Sequence, residues 1–96
     1  MTVRALIVDD EEPARERLRR LLAGSGLEIV GEAADGQEAL ARIEAVAPDL
    51  VFLDIQMPGL SGLDVAARLR PPRPRIVFCT AFDQFAIDAF DQQAVD

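Results

Sequence analysis

The chain has 96 residues, half of them hydrophobic and 28% charged, with a formal net charge of −7 and a single cysteine, Cys79. This suffices for one small domain with one hydrophobic core and no second module. The acidic balance excludes nucleic-acid binding by this segment alone, since a DNA-binding surface needs clustered cations to neutralise phosphates.

Further exclusions follow from the chain's local runs. One cysteine cannot form an internal disulfide, which points to a reducing cytoplasm. The fully apolar runs, such as Ala5-Leu6-Ile7-Val8 and Leu50-Val51-Phe52-Leu53, are too short to span a membrane. Met1-Thr2-Val3-Arg4 leads into a short apolar run and then acid, which is not the pattern of a signal peptide. All ten basic residues are arginine, and Arg15, Arg17, Arg19 and Arg20 cluster as the solvated face of a helix.

In chain order, Val3 to Val8 is a near-continuous apolar run, the pattern of a strand buried on both faces. Pro13 then occupies a helix first turn, where its missing N–H costs nothing. Ala14, Leu18, Leu21 and Leu22 form the apolar stripe of that helix, and Gly24 and Gly26 stop it. Glu28 to Ala33 is a second, weaker strand. Asp35 and Glu38 are spaced as an N-cap and its N3 partner, opening a helix with Ala39, Leu40, Ile43 and Val46 inward, which Pro48 ends.

Leu50 to Leu53 is the most hydrophobic strand and is expected to be central. After the Gln56–Leu60 loop, Ser61 and Asp64 again have capping-box spacing, and their helix is expected to end near Arg70, before Pro71, Pro72 and Pro74. Ile76 to Cys79 is a fourth strand, and Phe82, Phe85, Ala86, Ala89 and Phe90 share a face of a fourth helix. Four strand–helix alternations imply a parallel sheet with helices on both faces, and in such α/β folds ligands sit beyond the carboxyl ends of the strands.

Those ends carry acid. The first strand runs into Asp9-Asp10, followed by Glu11 and Glu12; the third ends in Asp54, and the fourth in Thr80-Ala81. Separately, each has an ordinary reading: Asp9 and Asp10 as turn formers or caps, Glu11 and Glu12 as favourable charge at a helix N-terminus, Cys79 as a small buried hydrophobe. If the first and third strands are neighbours, however, three carboxylates converge, and their repulsion calls for a cation. Carboxylate oxygens suit Mg²⁺, whereas the absence of histidine and the single cysteine exclude a zinc site.

Taken together, Val8-Asp9-Asp10-Glu11, the run Asp49-Leu-Val-Phe-Leu-Asp54 followed by Met57-Pro58-Gly59, and Thr80-Ala81 resemble the receiver domain of two-component response regulators. The resemblance covers the whole chain. The stretch from Phe78 to Phe90 further resembles receivers attached to LytTR-type DNA-binding domains. The resemblance implies a flavodoxin-like (CheY-like) doubly wound parallel sheet, α/β in class, with strand order 2-1-3-4.

It also implies roles for individual residues. Asp54 would be the phosphoacceptor. Asp9, Asp10, Asp54 and the Gln56 backbone carbonyl would hold Mg²⁺, with Asp9 acting through water. Thr80 would be the switch hydroxyl, and the backbone N–H groups of Ala81 and Gln56 would donate to the phosphoryl oxygens. Gly59, Ser61 and Gly62 would let the loop after Asp54 turn sharply. The donor would be a phosphohistidine on a sensor histidine kinase docking against the first helix, whose arginines would contribute to that surface. The chain would catalyse only its own phosphorylation and dephosphorylation. DNA would be reached only through an effector domain outside this chain, and no membrane is involved.

One departure stands out. The family's fifth strand and helix, on the order of 20 residues, do not follow Asp96, so residues 1–96 read as an incomplete receiver. With them goes the family's phosphoryl-bridging lysine, and the chain holds no lysine at all. The exposed edge of the Ile76–Cys79 strand would then favour a homodimer or domain-swapped dimer.

Other classes fit less well. A haloacid-dehalogenase-type phosphatase needs a second Asp two residues after its nucleophile, where Gln56 stands. A flavodoxin-like or dinucleotide-binding module needs a glycine- or hydroxyl-rich loop after the first strand, and here that loop is acidic. The remaining alternative is a pseudo-receiver, an interaction module that is never phosphorylated.

Overall fold

The computed structural model describes residues 2–79; Thr80, Ala81 and the expected fourth helix lie outside them. The elements are β1 (Arg4–Val8), α1 (Glu12–Leu22), β2 (Glu28–Ala33), α2 (Gly36–Val46), β3 (Leu50–Asp54), α3 (Gly62–Arg68) and β4 (Arg75–Cys79). The four strands form one parallel sheet in the order β2-β1-β3-β4, as the family resemblance implies. The chain leaves β1 for one neighbour and returns to its other side for β3. This reversal opens a crevice at the carboxyl edge of the two central strands.

Strand periodicity divides the core into two layers. Leu6, Val8, Val51 and Leu53 point to one face, where they meet Ala39, Ile43 and Val65 from α2 and α3. Ala5, Ile7, Leu50, Phe52 and Val77 point to the other, with Leu18 and Leu22 of α1 against them. Every residue of β3 is buried, which is why it carries no polar side chain before Asp54. Burying a Leu, Ile or Val side chain fully contributes roughly 1.5–3 kcal/mol, so the central strands anchor the fold.

Local signals act mostly as expected. Pro13 lies in the first turn of α1, and Ser61 and Asp64 make a reciprocal capping box at α3. Three details differ. Leu21 is 52% exposed: it lies off the stripe made by Ala14, Leu18 and Leu22. Glu38 reaches one residue further back than a capping box requires, accepting from the Ala34 N–H at 2.8 Å, while Asp35 accepts from the Glu38 N–H at 2.7 Å. Finally, α3 ends at Arg68, two residues before the expected boundary, because Leu69 already has extended backbone angles ahead of the prolines.

Candidate acidic site at the carboxyl edge of the sheet

Val8 and Leu53 are register partners on the central strands, so the residues that follow them, Asp9 and Asp54, emerge side by side. The Asp9 main chain is held from two directions. Its N–H donates to the Ala33 carbonyl at 3.1 Å, and its own carbonyl accepts from Arg15 Nη1 at 2.7 Å. Its side chain accepts from the Glu11 N–H at 3.0 Å, a local turn that leads the chain into α1. Asp9 is thus both turn former and member of the acidic cluster. Glu11, not an aspartate, occupies the N-cap position of α1, and it makes no side-chain cap bond.

Asp54 ends β3 and is 8% exposed, the buried charged residue among those described. The chain beyond it is tied down closely. Ile55 N–H donates to the Cys79 carbonyl at 3.1 Å, extending the ladder to β4. The Gln56 N–H faces back to the Asp54 carboxylate at 3.3 Å, and Met57 is buried, fixing the loop. Gly59 has φ +78°, the left-handed conformation that a side chain disfavours. Gly62 serves a different purpose: a Cβ there would overlap the Asp54 carbonyl group, so only glycine lets α3 begin so close to the end of β3.

Asp9, Asp10 and Asp54 each offer a carboxylate oxygen within 4.8 Å of the others. Burial, then the Asp9 charge and the Asp10 carboxyl, push the Asp54 pKa up to about 6 against the opposing Gln56 N–H. Burial also raises Asp9, aided by the charges of Asp10 and Glu11. Cys79, the register partner of Asp54, is pushed up to about 12 by burial and by the charges of Asp54 and Asp9, which favours the protonated thiol. Three hard oxygen donors that repel one another when empty are a donor set that suits Mg²⁺. Among the described residues nothing else groups three or more metal-ligating side chains.

Of the residues expected at the site, Asp9, Asp10, Asp54 and Gln56 are brought together, while Thr80 and Ala81 lie outside the described residues. The arginines of α1 hold a surprise. Arg17, Arg19 and Arg20 are exposed as expected, but Arg15 is half-buried: it and Arg19 both bond Glu32 of β2, at 2.9 and 2.7 Å, and Arg15 also reaches Asp9. Sequence reading missed this because Glu32 is 17 residues from Arg15 and carries no local motif.

Comparison with known proteins agrees with this geometry. The response regulator receiver domain family matches residues 5–96. The chain belongs to that family. It is 53% identical over 96 residues to the transcriptional regulatory protein BtsR of Salmonella typhi, covering 98% of this chain and 40% of that protein. It is also 53% identical over 94 residues to the positive alginate biosynthesis regulatory protein of Pseudomonas aeruginosa, covering 94% of this chain and 38% of that one. The chain therefore spans about two-fifths of these relatives. The solved signal receiver domain of the response regulator NarL from Mycobacterium tuberculosis superimposes with a TM-score of 0.77 at 36% identity, over 98% of this chain and 79% of that one. As a receiver, the chain carries its acidic cluster at the crevice that the strand order creates. No helix of the described residues is long and apolar enough to cross a membrane.

Proposed function

We propose that this receiver accepts a phosphoryl group on Asp54 from a phosphohistidine of a sensor kinase, with Mg²⁺ held by Asp9, Asp10, Asp54 and the Gln56 carbonyl. The observation that carries the reading is a buried strand-end carboxylate with two further carboxylates and one backbone N–H directed at it. With its pKa near 6, Asp54 is mainly ionised at neutral pH and serves as the nucleophile. A carboxylate oxygen attacks phosphorus as the phosphorus–nitrogen bond of the donor breaks, and the imidazole leaves with its electron pair. The bound cation would supply charge neutralisation for the three carboxylates and the incoming phosphoryl oxygens.

The chain's own groups do the positioning. The Gln56 N–H lies beside the acceptor oxygen and is placed to donate to a phosphoryl oxygen there. Thr80 follows Cys79, the register partner of Asp54, and we assign its hydroxyl the switch role and the Ala81 N–H a second donor role. The chain turns over no external substrate. The output of the longer protein is DNA binding through an effector domain, the reading favoured by the transcriptional regulatory protein BtsR among its relatives.

Intact mass after incubation with acetyl phosphate and Mg²⁺, beside Asp54→Ala, tests the reading. One added phosphoryl group that the substitution abolishes supports it. No addition to a folded wild-type chain favours a pseudo-receiver.

A further inference from the structure

The guanidinium of Arg15 makes two bonds of different kinds. Nη1 donates to the main-chain carbonyl of Asp9 at 2.7 Å, and Nε donates to Glu32 Oε1 at 2.9 Å. The second oxygen of Glu32 is taken by Arg19 Nε at 2.7 Å. The Arg15 side chain is 15% exposed, against 47% for Arg19, so the inner arginine is the constrained one. The network ties α1 to β2 across the turn that presents Asp9 and Asp10.

We infer that Arg15, oriented by Glu32, is a positioning residue that holds the β1–α1 turn in the conformation that binds a divalent cation. The inference rests on the proposed cation site at Asp9, Asp10 and Asp54. Arginine suits the task because its rigid fork satisfies a carboxylate and a carbonyl at once, whereas a lysine ammonium on a flexible stem does not fix both directions. The bond to Asp9 goes to a main-chain oxygen, so it sets the path of the turn without occupying the Asp9 carboxylate, one oxygen of which accepts from the Glu11 N–H. Glu32 in turn prevents the guanidinium from swinging over to the carboxylates, where it would compete with a cation.

Charge alone predicts the opposite effect, and this makes the inference testable. Removing a positive charge next to a cation site should tighten cation binding by Coulomb attraction. Loss of positioning should weaken it, by about tenfold, as for other groups that orient metal ligands. Free Mn²⁺ measured by electron paramagnetic resonance reads the affinity directly, without phosphorylation.

We expect Arg15→Ala and Arg15→Lys both to weaken Mn²⁺ binding, Arg15→Lys despite its conserved charge. Glu32→Gln should weaken it on its own and add little to Arg15→Ala. Circular dichroism identifies variants that remain folded, and if Arg15→Ala does not, Arg15→Lys decides. Unchanged or tighter binding in a folded Arg15 variant overturns the inference while leaving the cation site standing. If the wild-type chain itself fails to bind Mn²⁺, the cation site falls and the inference with it.

Discussion

Gly62 begins α3 directly against the carbonyl group of Asp54, and a single methyl group at position 62 would occupy the same space. The Gly62 N–H also donates to the Ile55 carbonyl at 2.9 Å, so neither chain segment is free to withdraw. Asp54 is held by the packing of the helix that follows it as well as by the sheet.

Gly62→Ala is therefore expected to destabilise the fold by about 1–3 kcal/mol, the usual range for forcing a methyl group into a filled space. Urea denaturation measures this. The same variant should accept phosphoryl groups more slowly than wild type under conditions where both are folded, because the backbone of Asp54 must shift.

The raised pKa of Asp54 makes stability pH-dependent. In the folded chain Asp54 keeps its proton up to about pH 6, whereas unfolded it loses it near 3.8. Between those values the folded state binds more protons, so the contribution of this residue is fully present below about pH 4 and is lost as pH rises through 6. Asp54→Asn should match wild type near pH 4 and be more stable at pH 7.5, by on the order of 1–3 kcal/mol. Equal stability at pH 7.5 in metal-free buffer would show that the carboxylate is not strained there.

Mg²⁺ should reverse that loss. A cation that binds the folded chain alone, at ten times its dissociation constant, stabilises by about 1.4 kcal/mol and raises the melting temperature on the order of 5 °C. The rise should vanish with chelator, shrink below pH 6 as protons compete, and be absent in Asp10→Ala. Thermal melts followed by circular dichroism are the suitable measurement, since the chain has neither tryptophan nor tyrosine.

Cys79 should resist alkylation. With its thiol pushed up to about 12, almost no thiolate exists at pH 8 in the folded state. Iodoacetamide should modify it only slowly until denaturant is added, with mass spectrometry giving the extent. Asp54→Asn removes one of the charges that raise the thiol, so it should speed the reaction in the folded protein.

Much of this molecule is set by local sequence. Apolar runs only four residues long, bounded by polar residues, are too short for buried helices and fit strands buried on both faces, so β1 and β3 follow from Ala5–Val8 and Leu50–Leu53. Ser61 with Asp64, Asp35, and Pro13 mark helix starts because each answers a hydrogen-bonding need within four residues. The acidic residues of the site were legible for the same reason: they stand where strands end. Other features depend on residues distant in sequence that meet only when the sheet assembles. The order β2-β1-β3-β4 decides that Asp9 and Asp54 are neighbours, and packing decides that Gly62 must be glycine. The burial that lifts Asp54 exists only in the assembled crevice. Arg15 shows the difference most clearly. Read alone it is one more charge on a helix, and only the register that brings Glu32 alongside turns it inward to Asp9.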